Sequence, residues 1–439
     1  MSRRSRPFAP LASREGSREG RNIRSGLHLD SPVLVDAGFG TPRYPLAGRW
    51  RSCGLAVVLA TLLGMGGIAA RAQADVAADV LIEAAGFIAP DGKIVRRPRV
   101  LVQGGRIAAP DADAPHGVAV HSYPPGAVVS AGLIDCAAAI GAQGGLAERG
   151  QAVQPAIRAA DAFNRYSYQL ARACKAGVTA FALAPDDSHL IGGQIAICLT
   201  AGGRPGRPPA LLTADGPVHL SLAPDAFMVD REPTSRGGAV SLLRTTVQRA
   251  REAKAAGPLA EFARGQRAGI LAAPSGADVL TAVELSQTYG LRLAVKHTDD
   301  AHLVAESLTG KLAGVIVGPL GFSASPRTAR AAGLLEAQKI PVAIAGGLPQ
   351  APPDSLRIGA AVAARAGLSA EAARRAITLV PAELLGVADT IGSIESGKRG
   401  DLVVFSGDPL DLRSRVLAVY VGGVRVFAAG PAGAEEAQP

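Results

Sequence analysis

The sequence predicts a mixed α/β protein whose central part is a (β/α)8 barrel. From residue 131 onward, short apolar runs alternate with stretches of helical periodicity, and eight candidate strands follow one another over about 250 residues. On both sides of this region the chain changes to short strand-like runs joined by glycine turns. A doubly wound open sheet is the alternative, but no G-x-G-x-x-G follows a strand, so nothing indicates a dinucleotide site.

The first 74 residues are predicted to lie outside the fold. Residues 1–48 are rich in Arg, Ser, Gly and Pro without apolar periodicity, which predicts disorder. Residues 49–74 combine a positive flank, an apolar run and an A-x-A end, the pattern of a secretory signal cleaved after Ala74. A membrane anchor is the alternative, but a run of about 15–17 residues is short for a span. We therefore expect periplasmic or secreted localisation, with no stable membrane span after cleavage.

The charge of the chain is concentrated in this leader. Of the formal net charge of +9, residues 1–74 hold 11 arginines against 4 acidic residues, so the remainder is almost balanced. Aromatic residues make up only 4% of the chain, which disfavours a base-stacking surface. We expect no nucleic-acid partner. The three cysteines beyond the leader are too few for a disulfide framework, and Cys174 and Cys198 lie in apolar patterns typical of core positions.

The elements follow in chain order. Segment 75–130 contains strand-like runs at 80–82, 99–102, 106–108 and 118–120. The barrel strands are predicted at 131–135, 178–183, 195–200, 218–222, 269–273, 291–295, 313–318 and 341–345. Helices are predicted at 156–175, 238–254, 276–289 and within 354–387, with glycine directly after several of them as the expected stop signal. Strands at 402–405, 416–421 and 424–427 precede a tail at 429–439 that is predicted to be disordered.

Two motifs connect these elements to a known family. The first motif lies on the first barrel strand and reads Gly132-Leu133-Ile134-Asp135. The second leads into the strand at 402–405 and reads Ile391-Gly392-Ser393-Ile394-Glu395-Ser396-Gly397-Lys398-Arg399-Gly400-Asp401-Leu402-Val403-Val404. Together they resemble the amidohydrolase superfamily, in its imidazolonepropionase-like and prolidase-like branch, and the resemblance extends over 79–427. It implies a TIM barrel at 131–388 and a small β-sandwich built from 75–130 and 389–428.

The resemblance also implies a metal site and shows how much of it has been replaced. Family members hydrolyse C–N bonds with one or two divalent ions, usually zinc, which activate water. Their ligands are His-x-His on the first strand, often a carboxylated Lys on the fourth, one His each on the fifth and sixth, and Asp on the eighth. The matching residues here are Ala137 and Ala139, then His219, Ala272, His297 and Gly347, with Gly346 as the alternative for the last.

Four of these six positions hold Ala or Gly, which have no donor for a metal. Catalytic zinc usually needs three protein ligands, so we expect no cofactor, with a single weakly bound zinc as the alternative. Asp135 is expected to be structural, and strand alternation turns Cys136 away from Ala137. The segment 185–194 resembles the loop after the second or third strand of the family, which lies near the substrate. We interpret it as a solvated loop, with a new polar site as the alternative. The candidates for a residual pocket are His219, His297, Asp186, Asp187 and His189.

Three functions are consistent with these residues. The first is a catalytically inactive pseudoenzyme that binds a small molecule at the top of the barrel. The second is a metal-dependent hydrolase that acts on non-peptide or dipeptide C–N bonds through a reduced or rebuilt site. The third is a structural partner of an active paralogue. Family members often form dimers or larger assemblies, so a homo-oligomer is the alternative to pairing with a paralogue.

Overall fold

The computed structural model describes residues 79–96, 99–110, 112–203, 207–298 and 300–430. The predicted extension at 1–48, the predicted signal at 49–74 and the tail beyond 430 lie outside these residues. Within the described part of the chain, no helix combines the length and apolarity that a bilayer crossing requires.

The strands are numbered in chain order. The first group comprises β1 (Val80–Glu83), β2 (Gly86–Ile88), β3 (Ile94–Val95), β4 (Arg99–Gln103), β5 (Arg106–Ile107), β6 (Ala119–Ser122) and β7 (Val128–Ala131). The central group comprises β8 (Leu133–Ala138), β9 (Val178–Leu183), β10 (Ile191–Gln194), β11 (Ala196–Leu199), β12 (Leu211–Thr213), β13 (Val218–Ser221), β14 (Gly269–Ala272), β15 (Leu293–Lys296), β16 (Gly314–Val317) and β17 (Val342–Ile344). The last group comprises β18 (Leu402–Phe405), β19 (Val416–Val421) and β20 (Val424–Ala428).

The N-terminal and C-terminal strands form two sheets. One sheet has the order β5-β4-β1-β6, and the other has the order β20-β19-β18-β7-β2-β3, so it joins strands from both ends of the described chain. Apolar side chains from both sheets, among them Ile82, Val102, Val404 and Tyr420, bury one common cluster. The predicted strands in these two segments are confirmed, because alternating apolar residues give each sheet one buried face.

The central strands are mostly parallel. β13, β14, β15, β16 and β17 pair in sequence order, and β8 pairs with β9 in the same sense. Helical segments connect β13, β14, β15, β16 and β17 to one another, as the alternating sequence pattern predicts. The central region therefore has a mixed α/β fold that is consistent with a TIM barrel.

The third predicted strand departs from this pattern. Instead of one parallel strand at 195–200, the chain forms β10 and β11, which pair antiparallel with β13 and with β9 respectively. No α-helix lies between β9 and β10. A parallel connection needs a crossover of about a dozen or more residues, usually helical, whereas the short loop after β9 can return the chain only in the opposite direction.

The helices lie mostly where the periodicity predicts them. They are α1 (Tyr168–Lys175), α2 (Arg236–Glu252), α3 (Pro258–Ala263), α4 (Gly276–Tyr289), α5 (Pro326–Ala337), α6 (Ser355–Arg365), α7 (Ala370–Arg375) and α8 (Leu379–Leu385). The prediction of a helix from 156 was wrong. The Ser167 side chain caps α1 by accepting the Gln169 N–H, so the helix starts there. Tyr166 falls within the predicted helix, but it lies before α1 and is 84% exposed.

The three cysteines of the described chain are free and buried, which confirms the core assignment of Cys174 and Cys198. Burial raises the pKa of the Cys136 thiol far above its ordinary range. Because a nucleophilic cysteine must be available as the thiolate, this residue is unsuited to catalysis.

A buried carboxylate links β8 to the chain after β17. Asp135 Oδ1 accepts the N–H of Gly346 at 3.0 Å and that of Ala137 at 3.1 Å. Ala139 N–H donates to the Leu348 carbonyl at 2.8 Å. Burial raises the pKa of Asp135, against the effect of these backbone hydrogen bonds. A Cβ on Gly346 would lie 2.6 Å from Asp135 Oδ2, so the link requires glycine there.

We expect Gly346→Ala to lower the free energy of unfolding by about 1–3 kcal/mol, because the new methyl group would overlap a buried carboxylate that two backbone hydrogen bonds hold in place. Chemical denaturation measures the change. Gly321→Ala is the matched control, since a Cβ at Gly321 meets no atom within 4 Å. Equal stabilities of the two variants would contradict this account of the link.

Candidate functional site

The site forms around one carboxylate in the loop that follows β9. Asp187 lies in this loop, His219 is the second residue of β13, and Lys296 ends β15, directly before His297. Parallel pairing through β14 places Ser221 beside Ala272 and Ala272 beside Lys296, so β13 and β15 run in the same direction two strands apart. The loop and both strands therefore bring side chains from distant parts of the sequence to one place.

Three side chains contact Asp187. His219 Nε2 lies 3.0 Å from Oδ1, and Lys296 Nζ lies 3.1 Å from the same oxygen. His297 Nδ1 lies 2.8 Å from Oδ2. The His219 side chain is fully buried, Lys296 is 8% exposed and Asp187 is 17% exposed. Both carboxylate oxygens are thus occupied by nitrogen donors in a largely dry environment.

The contacts fix the charge state of the cluster. Burial would raise the pKa of Asp187, but the hydrogen bonds from His219 and His297 and the charge of Lys296 outweigh it and hold this pKa well below its ordinary range. Burial and the nearby Lys296 lower the pKa of His219 to about 4, although Asp187 acts in the opposite direction. At neutral pH, His219 is therefore a neutral imidazole that donates Nε2–H to an ionised carboxylate.

Two features of the imidazoles bear on chemistry. His297 has φ +57°, a left-handed conformation that is uncommon for a residue with a side chain and is often found at functional sites. Its side chain is 43% exposed, so the ring joins Asp187 to the solvent. His219 Nδ1 is buried without a hydrogen-bond partner among the described residues, and the ring packs against Gly192.

The other candidates of the same loop form a separate group. Asp186 Oδ1 accepts the Ser188 hydroxyl at 2.6 Å and lies 3.7 Å from His189 Nδ1. Burial would raise the pKa of Asp186, but its hydrogen bonds with His189 and Ser188 lower it. His189 is fully buried. The interpretation of this segment as a solvated loop is wrong for its centre, because Ser188 and His189 are buried and Asp187 is largely buried.

The other positions that the resemblance matches to metal ligands hold Ala or Gly, and they lie at or near the ends of strands. Ala137 lies on β8 and Ala139 just after it, while Ala272 ends β14 and is fully buried. Gly347 has φ +72°, and a Cβ there would lie 2.9 Å from the Pro319 ring. An aspartate at 347 would therefore meet both backbone strain and a steric clash.

These residues do not fit the metal that the family resemblance implies. Zinc needs three protein ligands in its catalytic form, but His219 and His297 direct their Asp187-facing nitrogens to a carboxylate that Lys296 also contacts. In the described part of the chain, no three His, Cys, Asp or Glu side chains converge in a way that could hold an ion. A divalent ion bound to Asp187 would also be repelled by the positive charge of the nearby Lys296 ammonium.

Lys296 was missed in the sequence. The signal was available, since lysine is a rare ending for a buried apolar strand, and the run Leu293–Lys296 is buried throughout. His219 and His297 were found from the family motifs, and Asp187 from its loop.

The pKa of His219 predicts a pH dependence of stability. A histidine whose folded pKa lies below its unfolded value of about 6.5 stabilises the fold fully above that pH and loses the contribution as the pH falls toward 4. We expect the wild-type free energy of unfolding to fall through this window by up to about 1.4 kcal/mol per pH unit from this residue alone.

His219→Gln should flatten that slope, because glutamine keeps an amide donor for Asp187 but does not titrate. Denaturant unfolding at intervals between pH 7 and pH 4 measures it. His116→Gln, at an exposed histidine, is the control and should keep the wild-type slope. The same slope in all three proteins would show that His219 does not titrate as described.

Comparisons with known proteins address the C-terminal sequence and the fold. A model of the amidohydrolase family matches residues 319–427. The crystal structure of an amidohydrolase from Thermotoga maritima MSB8 is similar with a TM-score of 0.68 and 23% identity, covering 80% of this chain and 100% of the other. A prolidase complexed with n-methylphosphonate-l-proline has a TM-score of 0.50 and 17% identity, covering 80% of this chain and 100% of its own.

Phenylurea hydrolase B is similar at a TM-score of 0.50 and 15% identity, covering 80% of this chain and 97% of its own. No curated protein matches the chain. At these identities the solved structures establish a shared fold, and the family model adds a sequence match in the C-terminal quarter. Together they confirm that the chain resembles amidohydrolases, in its fold and, over residues 319–427, in its sequence.

Proposed function

We propose that this protein is an exported, metal-free pseudoenzyme of amidohydrolase type that binds a small molecule at the top of a (β/α)8 barrel. The observation that carries the proposal is the Asp187 carboxylate, which is already bonded by His219, Lys296 and His297. The two imidazoles that remain from the metal site are thus engaged with protein partners. The exposed ring of His297 is the group that a ligand would meet first.

The barrel and the sandwich are part of this proposal. Apolar side chains of β8, β9, β11, β14, β15, β16 and β17 share one buried cluster with α8, as expected of a barrel interior closed at one end. Asp135 accepts a hydrogen bond from the Gly346 N–H, and the Ala139 N–H donates to the Leu348 carbonyl; these bonds to the chain after β17 support closure of the ring. The common core of the two outer sheets supports a β-sandwich.

A hydrolase with a rebuilt site that works without a metal is the second candidate, and one observation favours it. It differs in this respect from the metal-dependent hydrolase considered from the sequence. Asp187 holds His297 Nδ1 at 2.8 Å, and the ring is partly exposed, so Nε2 could accept a proton from a water molecule. In this function Asp187 orients the base and His297 removes the proton. The substrates would be acyl amides, dipeptides or lactams.

The metal content of the purified protein and its hydrolytic activity distinguish the pseudoenzyme from the hydrolase. We expect the purified protein, after exposure to zinc and desalting, to retain well below one equivalent by elemental analysis, because too few free donors remain. We also expect no hydrolysis in a screen of amides, dipeptides and lactams with Zn, Mn or Co present.

His297→Ala is the decisive variant. About one equivalent of zinc that disappears together with activity in this variant would overturn the metal-free proposal. Hydrolysis that persists with chelator and is lost in His297→Ala would instead establish the second candidate. The exposed-site variant His116→Gln controls for nonspecific loss in both assays.

Export is proposed from the leader alone. The apolar run after Arg49-Trp50-Arg51 and the Ala72-Gln73-Ala74 end are typical of a cleaved signal. We expect N-terminal sequencing of the protein recovered from the periplasm or medium to start at Asp75. An uncleaved chain in the membrane fraction would favour an anchor.

A further inference from the structure

Lys296 is placed unusually for a lysine. It ends the buried strand β15, in the middle of the parallel run, and its side chain is 8% exposed. Its Nζ lies 3.1 Å from Asp187 Oδ1, the oxygen that also accepts from His219 Nε2 at 3.0 Å. A buried ammonium of this kind needs a partner, and Asp187 is that partner.

Apart from the lysine, the cluster consists of donor types that metals bind. One carboxylate and two imidazoles are ligands that zinc and cobalt accept. In the described residues these donors do not converge on a common point while Lys296 contacts Asp187. Asp187, His219 and His297 supply them from three separate elements. Asp187 is mostly buried, so its charge also requires a cation close by.

We propose that the Lys296 ammonium stands in for the metal ion: it supplies the positive charge that keeps the Asp187 cluster together and excludes a divalent cation from it. The inference rests on the proposed metal-free function and gives its physical cause. A divalent ion that bound Asp187 would come within a few ångströms of the ammonium. Repulsion between two cations at such a distance in a partly dry site opposes binding strongly.

The test is the Co²⁺ affinity of a charge-free variant in the full chain. Lys296→Met keeps most of the length of the side chain and removes the ammonium. We expect it to bind about one equivalent of Co²⁺ at least about 100-fold more tightly than the wild type, because the repulsion is gone. Titration calorimetry measures the affinity, and the visible spectrum of Co²⁺ reports nitrogen and oxygen ligation at low coordination number.

Two control variants test whether the gain in Co²⁺ affinity comes from removal of the lysine charge. Lys296→Arg keeps a cation and should bind Co²⁺ as weakly as the wild type. The double variant Lys296→Met/Asp187→Asn removes the carboxylate and should lose the gained affinity. A folded Lys296→Met protein that binds Co²⁺ no better than the wild type would overturn the inference, as would equal gains in the Met and Arg variants.

Folding of the variant is monitored by circular dichroism and thermal melting. Should Lys296→Met be unfolded without metal, Lys296→Gln replaces it. If both are unfolded, recovery of the folded state on addition of Co²⁺ supports the inference, and failure to recover contradicts it. Substrate turnover by the wild type would overturn the proposed function alone, whereas absence of a Co²⁺ gain would overturn this inference alone.

Discussion

The Asp187 carboxylate accepts contacts from three side chains that reach it from β13 and from the end of β15. These contacts depend on the parallel register of the sheet, since a shift by one residue would turn His219 to the opposite face. They also hold the loop after β9 against the strand ends. A carboxylate buried to this degree would be costly without such donors, so the position of the loop and the arrangement of the cluster depend on one another.

The positions that the resemblance matches to metal ligands at the end of β17 are glycines with contacts inside the protein. Gly347 is in the left-handed region and packs under Pro319, and Gly346 leaves room for the Asp135 carboxylate. The chain after β17 therefore has a structural role, because Gly346 N–H donates to Asp135 on β8. His219 and His297 contact Asp187, which Lys296 also contacts. The polar groups of the cluster are therefore mostly satisfied inside the protein.

The sequence predicted most strands and several helix ends, because apolar alternation and glycine stops depend on local chemistry. It failed at 156–167, where the chain forms a loop before the helix that Ser167 caps, and at 195–200, where the connection forced an antiparallel strand. In the site, His219 and His297 followed from motifs. Nothing local distinguishes Asp186 from Asp187, although only the latter turns toward the imidazoles, and only the three-dimensional arrangement identifies Lys296 as their neighbour.

The geometry after β17 has a consequence for protein engineering. An aspartate introduced at 347 would have to adopt an unfavourable backbone angle and displace a proline ring. A single substitution at this position would therefore not place a carboxylate at the end of β17. A designer who wanted a metal ligand there would have to rebuild the loop around Pro319 as well.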